Sequence, residues 1–220
     1  MKLHDRIETG LTGDARASRR RPGAHDPEGR RQAALAAARR LFAARGFALT
    51  SIRAIAAEAD VNQGLIMTYF GSKEALFMEA VGPFEIPRDT VAGSVEGMGA
   101  RLARLYVDRW ENMAADDPWP ALVRSALSHE PSAEMLRRAL DEQHAPLREA
   151  LGDSNETEVR MTMVRCLIGG MIMERYLFAD ERGPSVPVAV FEAALGGALQ
   201  HAITGPLPDG AAAASTGATS

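Results

Sequence analysis

The sequence predicts an all-α chain, a head of short helices followed by a longer helical body, and three observations predict it. Apolar residues recur at the three-and-four spacing of an amphipathic helix through most of the 220 residues. No segment alternates apolar and polar residues as a half-buried strand would, and the β-branched run SVPVAV at 185–190 is the one ambiguous stretch. Glycines and prolines fall between the periodic segments, where helices end.

Residues 31–45 place Leu35, Ala38, Leu41 and Phe42 on one stripe and leave Arg31, Arg39, Arg40 and Arg45 for the wet faces. One helix is expected there, closed by Gly46 as a C-cap. A second, of about two turns, begins after Thr50 or Ser51, whose hydroxyl can accept from an orphan N–H. It buries Ile52, Ile55 and Ala56 and turns Arg53 outward. Ala59-Asp60-Val61-Asn62 then supplies a residue that tolerates a left-handed conformation, an apolar plug and an N-cap, so two short helices meet at a sharp angle. The next helix, 62–69, has Val61, Ile66 and Phe70 to bury and presents Gln63, Gly64, Met67 and Thr68. Small and amide-bearing residues near a helix N-terminus suit a DNA major groove. Gly71-Ser72-Lys73-Glu74 turns the chain into a fourth helix, 73–81, with Leu76, Phe77 and Ala80 inward.

Ala56, Ala59-x-Val61, Gly64-x-Ile66, Tyr69-Phe70 and Ser72-Lys73-Glu74-x-Leu76 together make residues 30–81 resemble the N-terminal domain of the TetR family of bacterial transcriptional repressors. The resemblance implies a three-helix helix-turn-helix (homeodomain-like) head joined to a C-terminal helical ligand-binding and dimerisation domain. It also implies a homodimer on a palindromic operator in double-stranded DNA, released by a small-molecule effector. Two positions depart from the pattern. Asp60 stands where the turn glycine is usual, at modest conformational cost. Met67 stands where an aromatic that touches the DNA backbone is usual, so that contact does not carry over.

Residues 1–27 hold Arg16, Arg19, Arg20 and Arg21 among Gly, Pro, Asp and Ser without apolar periodicity, so they are expected to be a flexible basic arm. It is either a solvated tail or a strand that follows the minor groove or phosphates. The DNA-binding domain is expected at 28–82, and Gly82-Pro83-Phe84-Glu85-Ile86-Pro87 is a hinge, because two prolines forbid a continuous helix. The effector-binding and dimerisation domain should span 83–204. Its helices are expected from Met98 to Met113, with Leu102, Leu105, Tyr106 and Trp110 in register, from Asp117-Pro118 to Leu127, and from Ala133 to Leu151 after Pro131-Ser132. Pro146 should kink or split the last of these. Glu156 to Phe178 turns apolar on nearly all sides, which suggests burial on several faces, and Ser185 to Ile203 is the final helix behind Pro184 and Pro187. Residues 205–220 read as a disordered, low-complexity tail.

Charge and composition narrow the function classes. Residues 1–82 carry 13 Lys and Arg against 9 Asp and Glu, and residues 83–220 carry 12 against 20, a basic head on an acidic body. Five histidines at 4, 25, 129, 144 and 201 lack metal-ligand spacing, and no G-x-S-x-G or phosphate loop occurs, so neither an enzyme nor a cofactor is expected. No apolar run reaches the roughly 18 to 20 residues of a membrane span, and the N-terminus has no apolar core of a signal peptide. A cytoplasmic protein without membrane contact is expected. The single cysteine, Cys166, lies in an apolar run and is expected to be a buried thiol.

Candidate DNA contacts follow from chemistry. Arg53 suits guanine O6/N7 and Gln63 suits adenine N6/N7, positions that read bases in some members of the family. Arg53 also reads as a plain surface arginine. Gly64 admits the backbone to the groove or relieves crowding between helices, and Met67 meets a thymine methyl or is simply exposed. Thr50, Ser51, Asn62, Thr68, Tyr69 and Lys73 are placed for phosphates. The last two helices are candidates for a four-helix dimer interface, in which Gly169, Gly170, Gly196 and Gly197 allow close approach or pack within one subunit.

For the effector, Trp110, Met113, Trp119, Arg124, His129, Met135, Arg165 and Met173 are the candidate contacts. Trp110, Met113, Trp119, His129, Met135 and Met173 come from a methionine- and aromatic-rich set that at helical spacing also reads as plain core, and Arg124 and Arg165 are polar residues in largely apolar segments, cavity-facing or on the surface. The run ALVRSALSHEPSAEMLRRAL is similar to a body type found in some family members with unknown ligands. A constitutive DNA-binding regulator or an activator without an effector is the alternative, and a closed body core would favour it.

Overall fold

An alanine-rich helix sets the frame of the head. The computed structural model describes residues 26–178 and 186–208. In it α1 (Pro27–Leu49) opens on Asp26, whose carboxylate accepts from the Gly29 N–H at 2.9 Å, with Pro27 in the first turn. The helix starts earlier than its apolar stripe, because a cap and a proline fix that end rather than burial. It breaks at Gly46, where φ is 75° and ψ 174°. Ala34, Ala37 and Ala38 are fully buried, and their small side chains let α2 (Ile52–Ala59) and α4 (Lys73–Val81) lie close.

Between those two sits α3 (Gln63–Phe70). Asp60 takes the left-handed conformation at φ 53°, alone among the described non-glycine residues, and so turns α2 into α3. Helices this short do not hold in water alone. Here they are fastened by Phe42, Phe47 and Phe77, with Phe77 centroids 4.6 Å from Phe42 and 5.1 Å from Phe47, and by Ile55, Ile66 and Leu76.

Beyond Gly82 the chain passes Ile86, which is buried, into the short α5 (Arg88–Val91). The body consists of α6 (Met98–Glu111), α7 (Trp119–Ala126), α8 (Glu130–Leu151), α9 (Asn155–Met171) with a π-helical turn at Ile172–Leu177, and α10 (Val188–Thr204). α6 and α10 form its tightest seam. Gly99 of α6 lies against the backbone at Gly196 and Gln200, and an added Cβ would run into the Gln200 amide. The Gln200 side chain bridges the seam, accepting from the Gly99 N–H at 3.0 Å and donating to the Val95 carbonyl at 3.1 Å. Leu102, Tyr106, Leu147, Met161, Val164 and Leu199 fill the core.

Several expectations need correction. α8 begins at Glu130, where His129 Nδ1 accepts from the Ser132 N–H at 3.3 Å, and it runs past Pro146 unsplit. Buried Gln143, His144 and Leu147 flank the proline and hold the rod in place of the lost ladder bond. α9 is covered on one side only in the protomer: Met161, Val164 and Ile168 face inward, whereas Met163 is 46% exposed and Cys166 is exposed, not buried. The π turn has no sequence signature. It carries Arg175, buried, which donates to Glu111 and to the Val186 carbonyl, each at 3.0 Å.

α7 belongs to both halves. It packs on α1 as well as on α8, and its Trp119 and Leu122 share one buried cluster with Phe42, Phe47 and Phe77 of the head. The arm over residues 1–25, residues 179–185 with Pro184 and Ser185, and the tail from 209 lie outside the described residues.

Candidate nucleic-acid interface and interior cavity

The outer tip of the head is built from helix starts. Ser51 Oγ accepts from the Ala54 N–H at 3.1 Å, Asn62 Oδ1 from the Gly64 N–H at 2.7 Å, and Ser72 Oγ from the Ala75 N–H at 3.0 Å. These caps fix where α2, α3 and α4 begin. Gln63, Gly64, Met67 and Thr68 are then left exposed on α3, which carries no charged residue of its own. A Cβ on Gly64 would come within 3.1 Å of Asn62 Oδ1, so glycine here keeps the cap unhindered. Thr68 donates to the Gly64 carbonyl at 2.9 Å.

Cations flank this neutral rod. Arg53 is exposed on α2 and has no ion-pair partner among the described residues, whereas Arg40 is matched to Glu58 at 2.8 Å and Arg31 to Glu79 at 2.5 Å. Lys73 lays its ammonium 4.2 Å from the centre of the Phe47 ring, and partial burial lowers its pKa against the opposing pull of Glu74. Tyr69 is half-buried with its ring edge-on to Phe70. Thr50 departs from expectation. It is 1% exposed, and its hydroxyl donates inward toward the Leu41 and Gly46 carbonyls, tying the break in α1 to the helix rather than facing outward.

The body holds a cavity of about 160 Å³. Of the residues expected at such a site, Trp110, Met113, Trp119, Arg165 and Met173 line it. Arg124, His129 and Met135 do not. Arg124 is on the exposed side of α7, His129 caps α8 with its ring 5.6 Å from Phe47, and Met135 is buried in the head's cluster. Helical spacing alone could not separate the side of α7 and α8 that lines the cavity from the side that packs on the head. Tyr106, Arg109, Gln143, His144 and Gly169 also line the cavity, together with Phe84 from the hinge. The available signal for these was polarity within an apolar register at Gln143 and His144.

Tyr106, Gln143 and His144 form a closed set on the wall. Gln143 donates to the Tyr106 oxygen at 2.6 Å, and His144 Nδ1 lies 2.6 Å from the Leu140 carbonyl. That bond places the imidazole proton on Nδ1, so Nε2 accepts from the Tyr106 hydroxyl at 3.0 Å. Burial pushes the Tyr106 pKa up and, with the nearby Arg165 charge adding to it against the Leu140 bond, pushes that of His144 down. Trp119, which also lines the cavity, is buried, and its indole N–H has no hydrogen-bond partner among the described residues.

Comparison with known proteins places both halves. Residues 34–80 match the profile of bacterial regulatory proteins of the tetR family, and residues 96–203 match that of the tetracyclin repressor-like C-terminal domain. An HTH-type transcriptional repressor of Mycobacterium tuberculosis is 39% identical over 95 residues, 37% of this chain and 50% of the relative. The chain thus spans about half the length of the curated relative it matches. A TetR-family regulator of Streptomyces coelicolor superposes with a TM-score of 0.58 at 29% identity, covering 82% of this chain and 98% of that one. The multidrug binding protein EbrR, solved with imidazole, shares the fold at a TM-score of 0.56 and 20% identity, covering 85% and 97%.

Proposed function

This chain belongs to the TetR family, a family of regulators rather than enzymes, and on that premise we propose that it is a dimeric, effector-released repressor of transcription, acting on a palindromic operator in the cytoplasm. The observation that carries the proposal is the position of α7, one side of which helps close the core of the head while Trp119 and Val123 line the cavity. A molecule filling that cavity presses on a helix that the head cannot release without repacking. An open cavity supports this reading over a constitutive regulator, which needs no such space.

On DNA, α3 enters the major groove, with Gln63 and Arg53 at base edges and Ser51, Asn62, Thr68, Tyr69 and Lys73 at phosphates. Gly64 lets the backbone approach, Met67 meets an apolar base edge, and the buried Thr50 stays out of the contact set. Lys73 must leave the Phe47 face to reach a phosphate. One head covers one half-site, so two are needed about one helical turn apart or a multiple of it. Met163, Cys166 and Gly170 of α9 and Val190 and Gly197 of α10 leave an apolar, partly small-residue face uncovered, which suits a two-fold four-helix contact between protomers. Gly196 is already used inside the protomer, with its added Cβ 3.1 Å from Ala100.

Selection of bound duplexes by the purified protein, with sedimentation to give its mass, tests this. A palindrome bound by a dimer is the expected result, and a monomer or indifference to sequence overturns it. Arg53→Ala or Gln63→Ala should weaken the selected site by ~1–3 kcal/mol and relax one base pair, while Lys73→Ala weakens all sequences alike.

A further inference from the structure

We propose that the cavity takes an apolar or aromatic carboxylic acid as its anion, with the body of the molecule among Trp110, Met113 and Trp119 and its carboxylate on the Arg165 guanidinium. This rests on the effector reading above and names the chemical class that reading leaves open.

Size comes first. At about 160 Å³ the cavity is slightly larger than the roughly 150 Å³ apolar cavity that takes up benzene, so it suits one ring with a short chain. Charge comes next. Arg109 and Arg165 line the cavity, and among the described residues no carboxylate does. A guanidinium on the wall offers a cationic ligand no acceptor, whereas an anion can accept its N–H bonds.

The two arginines are not equally available. Arg109 meets Asp117 at 2.5 Å, that carboxylate is only 8% exposed, and its other oxygen accepts from the Trp119 N–H at 2.9 Å, so the pair is locked into the start of α7. Arg165 reaches Asp141 at 3.2 Å, and the Asp141 side chain is 69% exposed. Water screens that pair, so a ligand carboxylate can take its place at little loss.

The other polar groups on the wall agree. The Tyr106, Gln143 and His144 set bonds to itself, which leaves Arg165 as the charged group open to a ligand.

The test uses the full chain without DNA and reads tryptophan fluorescence, since the only two tryptophans, Trp110 and Trp119, both line the cavity. The probes are 3-phenylpropionate, 3-phenylpropionamide and 3-phenylpropylamine, which share a ring and chain and differ in charge. The acid should bind roughly ten- to a hundredfold more tightly than the amide, the range of one charge-assisted hydrogen bond, and the amine more weakly still. Arg165→Gln should erase the preference, while Asp141→Asn, at a largely exposed position, should tighten the acid alone. Equal binding of acid and amide, a preference for the amine, an unchanged preference in Arg165→Gln, or no binding by any of the three overturns the proposal. Operator release is read separately. Acid binding that leaves DNA affinity unchanged counts against the effector-released repressor and not against the acid site, and release by a neutral or cationic compound does the reverse.

Discussion

In the head, α2, α3 and α4 each begin on a side chain that accepts one of the helix's own N–H groups, Ser51, Asn62 and Ser72, whereas in the body α8 begins on such a cap, His129, but α6, α9 and α10 begin with none. The head closes on three phenylalanines in mutual contact. The body instead combines a seam too tight for a methyl group at Gly99 with an open space large enough for a ring. Local chemistry shapes the first region, and packing between distant helices shapes the second. A rigid reading head and a deformable, hollow body are what the proposed division of labour requires.

The largest test of that contrast is Phe42→Ala. It removes a fully buried ring from the centre of the head and should lower stability by ~3–5 kcal/mol in denaturant titration, with loss of DNA binding. A loss below about 1 kcal/mol would mean that the head is not built on its aromatic cluster. Next comes Gly99→Ala, which forces a methyl group against the α10 backbone and should cost ~1–3 kcal/mol or more. Gly169→Ala has the opposite sign, since its Cβ meets nothing within 4 Å on the cavity side of α9, and it should stabilise by ~0.5–1 kcal/mol. If the two glycine variants moved the melting temperature alike, the seam and the cavity would not differ as described.

The smallest effect is in pH. Burial holds His144 below its unfolded value of about 6.5, so the unfolded chain takes up a proton that the folded one refuses. Stability is therefore complete above that value and falls as pH drops from it toward the folded pKa. The melting temperature should decline below about pH 6.5, and the decline should be shallower in His144→Gln.

The same contrast explains what could be read in advance. Asp60 at the turn, the cap at Asn62 and the outward set from Gln63 to Thr68 are short-range features, in which a few neighbouring residues decide the backbone, and they are legible in sequence. The placement of Arg109 on the cavity and of Met135 in the head's core depends on which helix lies opposite, and periodicity does not name the partner. Thr50 misled for a related reason: its hydroxyl chemistry was plain, but the carbonyls that claim it belong to the end of α1. The burial expected of Cys166 was inferred from apolar neighbours, yet such a run fits a face left for another chain as well as a core.

The double duty of α7 constrains anyone who would retune this molecule as a sensor. Substituting Trp119 or Val123 to admit a new compound would loosen the head at the same stroke, so altered recognition and altered grip would arrive inseparably. Diversity is better introduced on the opposite wall, at Gly169 and Met173, where nothing of the head is touched.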